Sequence, residues 1–158
     1  METESKQPSI DTTTSVTLLS PMQGEVKNIT ACADPMFAAE TMGRGIVVEP
    51  KDGTVIAPAD ATVEFIFPSK HALGLQLKDG SKILIHCGID TVNLQGEGFE
   101  IFVKEGEHVS CGQRLSSMNL ELVKEKGYST QTMMVVSEKA DDKEVIITPE
   151  KKEILTIC

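Results

Sequence analysis

The stretch HALGLQLKDGSKILIHCGI, residues 71–89, reads as two strands folded about one turn. In KILIHCGI, alternation puts Lys82, Leu84 and His86 on one face and Ile83, Ile85 and Cys87 on the other. In HALGLQL, the residues His71, Leu73, Leu75 and Leu77 share one phase. The four residues Lys78, Asp79, Gly80 and Ser81 between the runs have turn chemistry and predict a hairpin. A hairpin closing there pairs positions symmetric about its turn, so His71 and His86 fall near the same open end. Each histidine is expected to share a face with leucines.

Outward from this hairpin the same pattern repeats. Short apolar runs (VTLL, EVKNI, GIVVEP, TVIAP, TVEFIF, FEIFV, QRLSSM, TMMVV, EVIIT) are separated by breaks rich in Gly, Pro, Asp and Ser. Many short strands at close spacing predict an all-β fold, a compact antiparallel β-sandwich or barrel-like domain. Two segments read as short helices. Asp34 and Pro35 supply an N-cap and first-turn proline for MFAAETM, with Gly43 as the stop, and LELVKEKG ends at Gly127. Residues 1–15 are polar, rich in Ser and Thr and without an apolar period, which predicts a flexible tail ahead of one domain over 16–158. Met1 and that tail predict a free-standing protein rather than a piece of a permease.

Composition limits the function classes. The 158 residues carry 15 Lys and Arg against 24 Asp and Glu, a net charge of −9. That balance argues against nucleic acid, whose binding requires cations against phosphates, and suits a partner with a basic face. No apolar run approaches the roughly 20 residues that span a bilayer. The N-terminus lacks a basic region followed by an apolar stretch, and the four cysteines (Cys32, Cys87, Cys111, Cys158) show no C-x-x-C spacing. A cytoplasmic protein with reduced thiols is expected.

The chemistry is narrowed to three histidines. His108, in KEGEHVSCGQRL, reads as an exposed turn residue. His71 and His86 converge on an apolar surface. Patterning alone leaves a metal site and a histidine catalyst both open. A zinc hydrolase would want a third protein ligand, and Cys87, the nearest, alternates to the opposite face.

The residues around His86 carry a resemblance. HCGIDTVNLQGEGF (86–99) is similar to the signature of the glucose-class enzyme IIA of the bacterial phosphoenolpyruvate-dependent sugar phosphotransferase system. DPMFAAETMGRGIVVEP (34–50), TVIAPADATVEFIF (54–67), SKHALGLQLKDGSKILIHCGIDTV (69–92) and FVKEGEHVSCGQRL (102–115) follow in that family's order. The likeness covers about residues 18–136.

That resemblance implies a phosphocarrier with a phosphohistidine intermediate and with neither cofactor nor metal. His86 stands where the family carries phosphate on Nε2, with Nδ1–H held by a backbone carbonyl, that of Gly88. His71 fills the place of the assisting histidine, and Ser69 replaces the threonine that orients it. The phosphoryl donor is HPr, a basic phosphocarrier, and the acceptor is the cysteine of an enzyme IIB domain of a sugar permease. The membrane is reached only through that permease, and regulatory protein targets on the same patch are a second implication. Asp34 and Asp90 match acids that meet HPr, while Met36, Met42, Phe37, Phe67 and Leu84 are the expected apolar surround. Arg44 departs from the family, standing where an acid is common, and predicts a like charge on the docking rim. The tail after Asp142 fits the family poorly, and its Glu150–Glu153 region is expected to hold an altered last strand.

Overall fold

A computed structural model describes residues 14–158, so the tail expected over 1–15 lies almost wholly outside the described residues. Thirteen strands, numbered along the chain, form three antiparallel sheets among the described residues. The largest runs in the order β2 (Gly24–Asn28), β3 (Arg44–Pro50), β11 (Ser129–Glu138), β7 (Lys82–Ile89), β6 (Ala72–Leu77), β5 (Ala61–Ile66) and β9 (His108–Val109). A second holds β4 (Thr54–Ile56), β10 (Arg114–Met118) and β8 (Phe99–Ile101), and a third β1 (Val16–Leu18), β13 (Leu155–Ile157) and β12 (Val145–Ile147). Among the described residues the α-helices are α1 (Pro35–Ala38) and α2 (Leu120–Glu125), beside two 3-10 turns at Ile29–Ala31 and Thr91–Leu94. The architecture is the all-β fold that the alternating runs predict.

The hairpin at residues 71–89 forms as read. The Leu77 amide donates to the Ser81 carbonyl at 2.8 Å, and β6 and β7 pair from Gln76 with Lys82 out to Ala72 with His86. Alternation along β7 then divides two apolar clusters. Ile83, Ile85 and Cys87 enter a large core that also takes Leu73, Leu75 and Leu77 of β6 and residues from all three sheets. Leu84 joins a smaller cluster on the other face, with Val47, Ala72, Met133 and Val135, roofed by Ile29, Cys32 and Phe37.

The structure corrects four local expectations. His71 does not stand with the leucines of β6: it precedes the strand, after Lys70 in a left-handed conformation (φ 64°), so strand alternation does not govern its ring. α1 stops at Ala38 rather than running to Gly43, because Glu40 turns left-handed (φ 61°). Gly43 serves the sheet instead, since a side chain there would collide with the Val136 carbonyl of β11. His108 lies on the edge strand β9, half-buried, with Nδ1 2.9 Å from Thr62 Oγ1, and not in an exposed turn. The last strand is β13, beyond Glu150–Glu153, which form the turn before it.

Candidate active site

Four aromatic rings line up on the small-cluster face of the large sheet. The His71 and His86 ring centroids lie 4.7 Å apart, nearly perpendicular at 82°. Phe37 of α1 tilts against His86 at 5.3 Å, and Phe67 meets His71 edge-on at 5.5 Å. His86 is delivered by β7 and is half-buried, whereas His71 is only 2% exposed. Their meeting follows from register, because Ala72 pairs with His86 and the Cys87 amide donates to the His71 carbonyl at 2.7 Å.

Each ring is oriented through Nδ1. His86 Nδ1 lies 2.9 Å from the Gly88 carbonyl oxygen. A carbonyl can only accept, so Nδ1 carries the proton and Nε2 the free lone pair. Gly88 reaches this position with φ 81°, in the left-handed region that favours glycine. His71 Nδ1 lies 2.6 Å from Ser69 Oγ, a hydroxyl able to donate to it.

Burial keeps both rings uncharged at neutral pH. Desolvation first, and the neighbouring His86 second, push His71 down to about 4. Desolvation also lowers His86, opposed in turn by its bond to Gly88 and by the charges of Asp34 and Asp90. A neutral imidazole with a free nitrogen is a nucleophile or a base. Cys87, one residue on, is buried in the main core with its thiol pushed up to about 12, too poor an acid to join this site as a thiolate.

Asp34 and Asp90 lie close enough for their charges to act on His86. Asp34 caps α1, accepting from the Met36 amide at 2.9 Å, and Asp90 is exposed just past β7. Met36 is 56%, Met42 38% and Phe67 39% exposed, so these three present apolar surface to solvent. Leu84 is buried beneath, as is Phe37. Two residues of this region were not singled out from the sequence. Val92 is 50% exposed, and Thr91, fully buried, bonds the turn after His86; both belong to the segment HCGIDTV. Arg44 is not the free rim charge expected. Its Nη1 donates to the Val145 carbonyl at 2.6 Å, and its Nε lies 3.5 Å from Glu40.

A β-sandwich that holds a neutral, backbone-tethered imidazole among aromatic rings offers a histidine able to serve as nucleophile or base. Comparison with known proteins gives the family. Residues 16–142 match the family described as phosphoenolpyruvate-dependent sugar phosphotransferase system, EIIA 1. The chain is 45% identical over 121 residues to the PTS system glucose-specific EIIA component of Bacillus cereus, covering 77% of this chain and 73% of that one. It is 45% identical over 118 residues to the glucose-specific EIICBA component of Staphylococcus carnosus, covering 75% of this chain and 18% of that one. Among solved structures it is similar to glucose permease IIA from Mycoplasma capricolum, with TM-score 0.79, 31% identity, and coverage of 85% of this chain and 87% of that one. The chain belongs to the glucose-class EIIA family of the sugar phosphotransferase system, and its role there is that of a phosphocarrier, a phosphotransferase component of sugar transport.

Proposed function

We propose that the chain accepts a phosphoryl group from phosphohistidine HPr on His86 Nε2 and passes it to the cysteine of an enzyme IIB domain of a sugar permease. The observation that carries this reading is the 2.9 Å bond from His86 Nδ1 to the Gly88 carbonyl, which leaves Nε2 as the free nitrogen. In the first step the Nε2 lone pair forms a new P–N bond as the P–N bond to the donor histidine breaks, its electron pair returning to the donor ring. In the second the IIB thiolate forms a P–S bond, and the P–N electron pair returns to His86.

Transfer of this kind needs alignment and charge stabilisation more than covalent assistance. With the Ser69 hydroxyl donating to Nδ1, His71 holds its proton on Nε2 and donates it to the phosphoryl oxygens as charge shifts. Phe37 and Phe67 border the paired imidazoles and limit water, which slows hydrolysis of the labile bond. Asp34 and Asp90 face a basic donor, and Met36, Met42, Phe67 and Val92 give an apolar contact adaptable to two partners in turn. No helix among the described residues is long and apolar enough to cross a membrane; membrane association runs through the permease, on its cytoplasmic side. The alignment with a relative named EIICBA, which joins the letters A and B in one component, supports the choice of IIB.

Mixing the phosphorylated protein with an isolated IIB domain tests the second step. Label is expected to move to the IIB cysteine and to return when IIB is supplied phosphorylated. Label that leaves only as inorganic phosphate would count against a carrier.

A further inference from the structure

The turn after His86 is held by a side chain to which the transfer chemistry above gives no role. Thr91 is 0% exposed, and its hydroxyl donates to the Cys87 carbonyl at 2.5 Å. That bond spans residues 87–91 and encloses two left-handed positions, Gly88 (φ 81°) and Asp90 (φ 63°). A left-handed non-glycine is strained and persists where its surroundings over-determine it.

The rest of Thr91 acts on the neighbouring residue. A side chain built on Gly88 would collide with the Thr91 methyl and would come within 3.0 Å of the Ser129 carbonyl. Gly88 is therefore clamped between Thr91 and the start of β11, where the register of β11 on β7 shifts between Ser129 and Thr132. The carbonyl of that clamped glycine is the group that holds the proton of His86 Nδ1.

We propose that Thr91 is a positioning residue for the phosphoryl-accepting histidine: its hydroxyl and methyl fix the turn so that the Gly88 carbonyl keeps His86 in the tautomer with Nε2 free. The proposal rests on His86 being the acceptor. Without the hydroxyl the turn relaxes, the carbonyl drifts from Nδ1, and the ring samples the tautomer whose Nε2 carries hydrogen and cannot attack. The methyl contributes packing, and the hydroxyl sets the tautomer.

The test compares Thr91→Val, which keeps the shape and loses the donor, with Thr91→Ser, which keeps the donor. Imidazole 15N spectra of the unphosphorylated full chain report the His86 tautomer, and rapid mixing with phosphorylated HPr reports acceptance. Thr91→Val is expected to show a mixture of His86 tautomers and acceptance slowed about tenfold, as for a slightly misplaced nucleophile. Thr91→Ser is expected to keep the parent tautomer, with acceptance within about twofold of the parent. Thr91→Val with a lowered melting temperature but an unchanged tautomer and rate would overturn the proposal, leaving Thr91 a purely structural residue. Should Thr91→Val not fold, Thr91→Cys, a weak donor, is compared with Thr91→Ser, and the same two losses are expected. Absence of label on His86 of the parent would refute the acceptor assignment, while the tautomer comparison would still decide whether Thr91 controls the ring.

Discussion

The two faces of β7 come from one alternating run, KILIHCGI, and meet opposite surroundings. On one, Ile83, Ile85 and Cys87 sink into a core supplied by three sheets, with at most 3% of any of them exposed. On the other, Leu84 and His86 lie under a thin roof made of one 3-10 turn and the four residues of α1. The deep face is closed to solvent, so even a cysteine there stays a protonated, apolar side chain. The shallow face removes enough water to keep His86 neutral yet leaves the ring half-buried and reachable. Fold and chemistry are thus assigned to opposite sides of one pleat, and a one-residue slip in register would exchange them.

Substitutions on the two faces should therefore separate activity from stability. The largest effect is expected for His86→Ala, which abolishes phosphoryl acceptance while the circular dichroism spectrum and melting cooperativity stay near those of the parent. Next comes His71→Gln: the amide keeps a donor, so His86 still accepts label, but a donor displaced from the developing charge slows delivery to IIB about a hundredfold. Single-turnover transfer checks it, and a variant unable to accept label at all would make His71 the acceptor or a structural partner. On the deep face, Ile85→Ala should cost about 2–5 kcal/mol in denaturant unfolding and leave acceptance per folded molecule unchanged. The smallest effect belongs to Arg44. Arg44→Ala loses the tie to the Val145 carbonyl and one exposed ion pair, about 1 kcal/mol in the same melts. Since Glu40 already offsets the charge of Arg44, the rate of association with HPr at low salt should change little.

The deep face was legible in the sequence because period-two alternation is enforced along a whole strand. KILIHCGI gave both faces correctly, and the KDGS turn set the register that brings residue 72 opposite His86. The shallow face was legible only in part. The convergence of His71 on His86 follows from the hairpin register as expected, but His71 departs from the leucine face of β6 after Lys70, whose left-handed backbone no alternation rule anticipates. Asp34 and Pro35 marked the start of α1, while its early end depends on the path into β3 that Gly43 makes possible beside Val136. Arg44 looked like a free charge because its partners are distant or local in ways that spacing does not weigh: Val145 is about a hundred residues away, and Glu40 stands four before it. β9 is missed because a two-residue edge strand has no period, and β13 is expected a few residues early, at Glu150–Glu153, which form the turn before it.

The central claim is that the shallow face of β7 presents one nucleophilic nitrogen, His86 Nε2. Phosphorylating the full chain with phosphoenolpyruvate and the two upstream proteins, then locating the label by 31P and 15N NMR, tests it directly. One phosphoryl group per chain is predicted, bonded to Nε2 of His86, with Nδ1 still protonated against the Gly88 carbonyl. A phosphoryl group on Nδ1 of His86, on His71 or His108, or on any cysteine would contradict the account.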